Sequence, residues 1–281
     1  VFDLELAQEI DKVAREIGIK AKIHLKLDTG MSRLGYVVLD DKLDEIADEI
    51  KQISQFEGII LEGMYTHFAT ADARNKEFEN LQTHRFSEMV DKVKAMGVNI
   101  EYIHCSNSAE ILDCDEKYDM VRPGIIQYGI YPSNEVSYSI DIKPVMTFKA
   151  KVSNVKILDA GTSISYGRVY FTTVKEKIIS IAAGYADGFL RGRRNPYVYI
   201  NGVKCSIVGR ICMDQCMVRV PMDMDVKVND DVVIFGDDLV SVDDVARGCD
   251  TIAHEVMCMM SRRVPRVYYR HGEIVSIVDY L

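Results

Sequence analysis

The sequence predicts an α/β protein whose first part is the C-terminal half of a (β/α)8 TIM-type barrel, followed by a mainly β domain. Three observations carry this prediction. Helix-period and strand-period segments alternate as far as residue 138. They recur about every 35–40 residues, as βα units do. Short alternating runs separated by turn residues then replace them. The predicted domains are residues 1–138 and 139–281.

Three segments of the first domain are predicted helices because their apolar residues recur every three or four positions. They are FDLELAQEIDKVAREIG, DDKLDEIADEIKQI and residues 79–96. Gly18 and Gly97 follow the first and third segments and can end them. In the first helix, we expect the inward face to carry Leu6, Ile10, Val13 and Ile17.

Four predicted strands separate these helices, and helices between strands imply a parallel sheet. The strands are AKIHLKLD, IILEGMYTHF, IEYIHCSN and the start of VRPGIIQYGIYP. A (β/α)8 barrel takes about 30 residues per unit. The first domain therefore holds about four units, which is half of such a barrel.

The second domain is predicted to be β-rich, with one clear helix, SVDDVAR. VYINGVKCSIV holds Asn-Gly between two β-rich runs, a strong hairpin signal. The other strand candidates are TFKAKVSNVKIL, KIISIAAGY and DDVVIFGDD.

Composition narrows the function. The net charge is −9 over 281 residues, which argues against nucleic-acid binding, since that would need a basic surface. No run approaches the roughly 20 apolar residues of a membrane span, and no signal peptide opens the chain. The seven cysteines form no CxxC pair and predict reduced thiols in a cytoplasmic protein. Cys212 and Cys216 lack a histidine at zinc-finger spacing, so no metal site is expected.

Polar residues gather directly after the strands of the first domain. They are Lys26, Asp28 and Arg33, then His67, then Asn107 and Ser108, then Arg122 and Gly124. Parallel strand ends face one rim of a barrel, where active sites lie. Ser108 as a helix cap and Gly124 as a point of close approach suit a phosphate-bearing cofactor.

Each residue also has a structural interpretation. His67 can be an ordinary structural histidine, Ser108 only a cap, Lys26 an outward lysine, and Arg33 a surface partner of Asp28. Their position at consecutive strand ends favours a site. In the second domain, by contrast, SYGR, YADG and VGRICMDQ taken alone are typical of turns.

Eight motifs in order, however, resemble those of one family. They are KLDTGMSRLG, THFATAD, NSAEIL, VRPGIIQYG, SYGR, GYADGFLR, VGRICMDQ and SRRVPRVY. Together they resemble the alanine racemase family, fold-type III pyridoxal-phosphate enzymes. The resemblance implies a barrel plus a β domain in a head-to-tail homodimer with shared active sites. It also implies a two-base interconversion of L- and D-alanine, which supplies D-alanine for peptidoglycan.

The resemblance assigns roles to individual residues. Tyr166 is expected to be the catalytic tyrosine acting on the partner subunit's cofactor, with His67 beside it and Arg122 on the pyridine nitrogen. The expected cofactor contacts also include Arg33, Asn107, Ser108, Gly124, Ile125 and His254. Arg33, Met213 and Asp214 are expected to bind substrate. Tyr185, Asp72, Arg191 and Arg210 are expected to line the access corridor, and Lys26 matches a lysine that is often carbamylated.

Two departures from the family pattern leave alternatives open. The Schiff-base lysine motif does not occur in these 281 residues. The sequence is thus expected to be a fragment, inactive as written, or else a truncated, non-catalytic cofactor-binding relative. His254 stands where the family usually has tyrosine. Serine-racemising relatives of the vancomycin-resistance type also replace that tyrosine, so an alanine/serine racemase is the second alternative.

Overall fold

The structure of the chain, a computed structural model, describes residues 1–114, 118–236 and 238–280. It divides into two units, Val1–Lys143 and Pro144–Leu281. The division lies a few residues beyond the boundary predicted at 138.

Helices and parallel strands alternate through the first unit, as predicted. The helices are α1 (Leu4–Glu16), α2 (Leu43–Ser54), α3 (Glu77–Ala95) and α4 (Ser108–Asp113). The strands are β1 (Ala21–Asp28), β2 (Tyr36–Val37), β3 (Ile59–Tyr65) and β4 (Tyr102–His104). They form one sheet in the order β2-β1-β3-β4, and every pair is parallel.

Strand register places two polar rows on one face of this sheet. Lys26 pairs with Tyr65, and Tyr65 with His104. Two residues nearer the start of each strand, His24 pairs with Gly63, and Gly63 pairs with Tyr102. The intervening positions Leu25, Met64 and Ile103 are buried in the apolar core. The alternation of β1 therefore separates a polar face from a packed one.

The buried face of α1 differs from the prediction. Ala7 and Ala14 are buried, whereas Val13 and Ile17 are exposed. Asp11 Oδ1 accepts a hydrogen bond of 2.7 Å from the Gly58 amide. A Cβ at Gly58 would lie 3.1 Å from the Ala14 Cβ. The helix approaches the chain there through its small side chains, so Val13 and Ile17 point outward, whereas Ile10 still packs against the core.

The strand predicted at VRPG is wrong, because the described residues there form no ladder. Asp119 Oδ2, not a backbone carbonyl, accepts the hydrogen bond from the Ile103 amide. Arg122 donates its amide to Ser106 O, and Pro123 has no amide to donate. The segment runs beside β4 with too few backbone bonds to be a strand, and a 3₁₀ turn, Ile125–Tyr128, follows.

The second unit is built on a closed barrel of six strands in the order β10-β11-β8-β5-β12-β9. Its elements are β5 (Phe148–Leu158), β6 (Ser163–Ile164), β7 (Tyr170–Phe171), β8 (Glu176–Ile181), β9 (Tyr197–Ile200), β10 (Val203–Val208), β11 (Cys216–Val220), β12 (Asp231–Phe235), α5 (Val242–Gly248), α6 (Ala253–Cys258), β13 (Arg266–Arg270) and β14 (Glu273–Val278). The hairpin at Asn201-Gly202 and the helix at SVDDVAR are confirmed. β11, α6 and the β13-β14 hairpin were not predicted from the sequence.

Within the described residues, no helix is both long and apolar enough to cross a membrane. The seven cysteines all lie in the described residues, and none of them forms a disulfide. Burial raises the pKa of the Cys105 thiol to about 12.

Candidate active site

Lys26 lies at the end of β1 in a crowded, buried setting. Its Nζ donates a hydrogen bond of 2.8 Å to Leu27 O, and the side chain is buried. A Cβ at Gly35 would lie 2.6 Å from Lys26 O, so only glycine lets the chain pass there. Burial, with smaller contributions from Arg122 and Arg33, lowers the pKa of Lys26 to about 8. Lys26 is therefore not the outward lysine of the structural interpretation.

Asp28 organises the turn that carries Arg33. Its Oδ1 accepts hydrogen bonds from the amides of Gly30 at 3.0 Å and Ser32 at 2.9 Å. The carboxylate is buried, and Arg33 is exposed. In the part of the chain that the structure describes, no ion pair joins the two. Arg33 is thus presented by the turn and is not a surface partner of Asp28.

Arg122 is anchored by acceptors at the ends of two neighbouring strands, β3 and β4. Its Nη1 lies 2.6 Å from His104 Nδ1. Its Nη2 donates to Thr66 O at 2.9 Å and Cys105 O at 3.0 Å, and lies 3.3 Å from His67 Nδ1. Arginine donates through a rigid planar fork. Four acceptors on one fork leave it very little freedom.

His67 belongs to the same cluster of basic groups. Burial, followed by the positive charges of Arg122, Arg33 and Lys26, lowers its pKa to about 4. His67 is therefore neutral at physiological pH and can accept or donate a hydrogen bond. Four of the predicted site residues, Lys26, Arg33, His67 and Arg122, thus lie together at the strand ends.

Ser108 and Gly124 form a second small cluster. The Gly124 amide donates to Ser108 Oγ at 2.9 Å, and a Cβ at Gly124 would lie 3.3 Å from that oxygen. The predicted cap assignment is wrong: Asn107 caps α4, since its Oδ1 accepts from the amides of Ala109 and Glu110. Ile125, which follows Gly124, is buried.

In the second unit, Tyr166 projects from a strained turn and is 68% exposed. Ser165 before it and Arg168 after it have φ of 67° and 47°, a region that non-glycine residues seldom occupy. Ser165 Oγ donates to Arg210 O at 2.7 Å. Such strain is often kept where a side chain must be presented for function.

Two other loops of the second unit are connected with this turn through hydrogen bonds. The amides of Tyr185 and Ala186 donate to Cys212 O at 3.1 Å and Met213 O at 2.8 Å. A Cβ at Gly184 would lie 2.3 Å from Met213 O, so the contact requires glycine. Tyr166, Tyr185, Arg210, Met213 and the adjacent Asp214 therefore lie in connected loops, which the interpretation as separate turns did not anticipate.

Three predicted residues lie outside these clusters. Asp72, in the first unit, accepts a hydrogen bond from Ser133 through its backbone carbonyl. Arg191 and His254 are exposed in the second unit. Among the described residues, no hydrogen bond links either of them to the Tyr166 loops.

The side chains that support Arg122 were not predicted from the sequence. His104 and the ring of Tyr65 stack at 5.0 Å, and His24 Nδ1 lies 2.8 Å from His104 Nε2. A signal existed for His24, since it precedes Lys26 by two positions in a strand and must share its face.

Two family models match the chain. The model described as "Alanine racemase, N-terminal domain" matches residues 1–132, and the one described as "Alanine racemase, C-terminal domain" matches residues 145–268.

The chain belongs to the alanine racemase family.

Individual relatives agree with this assignment. "Alanine racemase 2" of Caldanaerobacter subterraneus is 45% identical over 286 residues, which cover 100% of this chain and 72% of that protein. The alanine racemase of Clostridium novyi is 42% identical over 290 residues, covering 100% of this chain and 73% of that protein.

Solved structures give the same result. An alanine racemase of Clostridium difficile 630 has a TM-score of 0.96 and 45% identity, and the match covers 100% of this chain and 73% of that one. The Bacillus anthracis alanine racemase with bound L-Ala-P has a TM-score of 0.91 at 34% identity, covering 100% and 72%. The predicted barrel half with a β domain is confirmed as the fold of this family.

As a member of the alanine racemase family, the protein is an isomerase that uses pyridoxal 5'-phosphate and interconverts L- and D-alanine. Its substrate is an amino acid. The relationship supports the enzymatic interpretation over the non-catalytic one.

Proposed function

We propose that the strand ends of the first unit hold pyridoxal phosphate, with the pyridine nitrogen at Arg122 and the phosphate at Ser108, Gly124 and Ile125. The observation that carries this proposal is the fixed guanidinium of Arg122, held by four acceptors. A guanidinium that is fixed in this way, among the polar residues at the strand ends, is suited to orient a flat heteroaromatic ring.

The residues present fit this cofactor. Arginine stays protonated in proteins, so Arg122 donates to the ring nitrogen and does not hand over its proton. The cofactor supplies an electron-withdrawing ring when bound, and an unprotonated nitrogen weakens that withdrawal. This suits a racemase, which must avoid side reactions such as transamination. Gly124, where a side chain would crowd Ser108, leaves room for a phosphate.

Gly124→Ala is expected to weaken pyridoxal phosphate binding about tenfold. The added Cβ would press on Ser108 Oγ, and such crowding costs about 1–3 kcal/mol, of which about 1.4 kcal/mol is tenfold in affinity. Cofactor titration followed by absorbance measures the effect. In the full-length enzyme, the kcat at saturating cofactor should stay close to that of the wild type.

Gly192→Ala is the matched control, since a Cβ there would meet nothing within 4 Å. Equal cofactor affinity in the wild type, G124A and G192A would contradict the proposed phosphate site.

We also propose that Arg33 contacts the cofactor hydroxyl and the substrate carboxylate, and that a carbamate on Lys26 orients it. A carbamate forms from a neutral amine. Because the pKa of Lys26 is lowered to about 8, the neutral fraction grows as the pH rises through that value. The neutral fraction of Lys26 decreases at lower pH.

Protein incubated with ¹³C-bicarbonate near pH 8 is therefore expected to show a carbamate signal in ¹³C NMR. Lys26→Arg should remove the signal. Lys22→Arg, at an exposed site of the same strand, should keep it. A spectrum unchanged by Lys26→Arg would exclude this site.

For Tyr166 we propose a role across a head-to-tail homodimer. Its exposed hydroxyl would hold and deliver a proton at the substrate α-carbon in the partner's active site, and His67 would orient the partner's tyrosine. Met213 and Asp214 would bind the substrate carboxylate, and Asp72, Tyr185, Arg191 and Arg210 would border its access. Cofactor roles for Asn107 and His254 stay predictions. The strained presentation of Tyr166 supports this arrangement.

We place this activity in the bacterial cytoplasm, where D-alanine is needed for peptidoglycan. Seven cysteines without a disulfide among them support a reducing compartment. Cells lacking the protein should then need added D-alanine, and growth without it would argue against the role.

The alanine/serine alternative rests on His254, which is polar where the family usually has tyrosine. His254→Tyr is expected to lower the ratio of kcat/KM for L-serine to that for L-alanine. The reason is that a tyrosine narrows a pocket that histidine leaves larger and polar. Racemisation of both substrates by the two forms measures it. An equal serine-to-alanine ratio in both would rule out position 254 as the determinant.

A further inference from the structure

A chain of hydrogen bonds leads from Arg122 through two histidines to the carboxylate of Glu62. Arg122 Nη1 lies 2.6 Å from His104 Nδ1. The other nitrogen of that ring, Nε2, lies 2.8 Å from His24 Nδ1. His24 Nε2 in turn lies 3.4 Å from Glu62 Oε2. Glu62 is also paired with Lys22 at 2.5 Å, and this pairing holds the pKa of Glu62 below its usual value.

The direction of every bond in this chain follows from its first member. Arginine has donors only, so His104 Nδ1 must accept, and the single proton of the neutral ring sits on Nε2. That proton points at His24 Nδ1, which must accept in its turn. The His24 proton is then on Nε2, facing the Glu62 carboxylate. Each tautomer is therefore determined.

The packing shows that these positions are built for the two rings. A Cβ at Gly63 would lie 2.5 Å from His24 Nδ1 and 2.7 Å from Tyr102 O, so glycine is needed where His24 sits. The β1-β3 register shifts at the same place, between Ile23 and His24. Tyr65 stacks on His104 and Tyr102 on His24.

The surroundings also keep His104 uncharged. Only 4% of its surface is exposed. Burial, followed by the positive charge of Arg122, lowers its pKa to about 4. A protonated His104 would point an N–H at Arg122 and break the chain.

We propose that His104, His24 and Glu62 are positioning residues for Arg122, a relay that links its guanidinium to a carboxylate on the far side of two neutral imidazoles. In the described part of the chain Arg122 has no carboxylate partner of its own. The relay supplies one at a distance, so Arg122 is anchored without a neighbouring anion that would compete with the cofactor. This inference rests on the proposed role of Arg122.

The first test is ¹⁵N NMR of histidine-labelled wild-type enzyme, which needs no variant to fold. His104 is expected as a neutral ring protonated on Nε2, with no titration as the pH passes through about 6.5, the ordinary histidine pKa. His24 is expected with its proton also on Nε2. A His104 proton on Nδ1, or titration near the ordinary value, would overturn the relay whatever the role of Arg122.

The second test breaks the relay in the holoenzyme. His24→Phe removes the link, and Glu62→Gln removes the charge while keeping an acceptor oxygen. Both are expected to lower kcat on the order of tenfold, the scale seen for residues behind active-site ligands. They should shift the absorption band of the bound cofactor and leave KM nearly unchanged.

His84→Phe is the matched control, since His84 forms a similar but exposed pair with Glu88 on α3. It should leave the kcat and the absorption band unchanged. Wild-type kcat and an unshifted band in both H24F and E62Q would overturn the proposal. If Arg122→Lys also had no effect, the cofactor role of Arg122 would fail instead.

Discussion

In the full-length enzyme, Arg122→Lys is expected to lower kcat about 100- to 1,000-fold, the usual loss when one preorganised donor is removed from an active site. A lysine ammonium is a compact charge on a flexible stem. The guanidinium of Arg122 donates to acceptors on Thr66, Cys105 and His104. A lysine ammonium cannot donate to these three acceptors and to the cofactor as well. Steady-state racemisation of L- and D-alanine measures the loss.

The same substitution leaves buried carbonyls without donors. Each such group costs about 1–3 kcal/mol, so the unfolding midpoint in urea should fall as well. Arg247→Lys, at an exposed pair with Asp244, is the control and should change neither quantity. A kcat within a few-fold of the wild type in R122K would show that the guanidinium does not act on the cofactor.

Tyr166→Phe is expected to lower racemisation about 100- to 10,000-fold, the typical contribution of a positioned acid or base. The loss should be unequal between enantiomers, because in the proposed two-base reaction Tyr166 would act on one face of the substrate only. Exchange of the α-proton in D₂O, followed separately from L- and D-alanine, measures this asymmetry. Tyr268→Phe, at another exposed tyrosine, is the control.

Mixing the two inactive variants tests the shared active site. If Tyr166 serves the cofactor of the partner, a mixed dimer of Y166F and R122K subunits contains one site with both native residues. Activity should then reappear on mixing under conditions that exchange subunits. Full loss in the mixture would place both residues in sites of the same subunit.

The sequence predicted the first unit well where local periodicity decides the structure. The strict alternation of AKIHLKLD became β1 over Ala21–Asp28, and the Asn-Gly turn became the β9-β10 hairpin. These segments form because one face is apolar, whatever lies around them. The polar residues at the strand ends could be identified for the same reason, since strand direction fixes where they meet.

Sequence periodicity did not predict the structure where close packing or a single hydrogen bond determines it. The α1 face is chosen by how closely Gly58 lets the helix approach, and the strand expected at VRPG is lost to one side chain, Asp119. Likewise Asn107 and not Ser108 caps α4, although both residue types are good caps. Such choices depend on distances that no linear pattern contains.

The support of Arg122 shows the same limit within the site. His24 and His104 are 80 residues apart, so only the sheet register brings them together. The sequence shows both histidines, but it does not show that they are hydrogen-bonded to each other.

The closed barrel of the second unit allows its loops to vary in sequence while its strand framework stays the same. In a closed barrel every strand has two neighbours, so no edge is left on which another chain can add a strand. The loops at Tyr185 and at Arg210–Asp214 leave its strands β8 and β10. They can therefore accept substitutions and altered lengths while the framework stays resistant to edge-to-edge aggregation. If these loops border the substrate, as we propose, they are the natural place for new substrate preferences to arise by mutation.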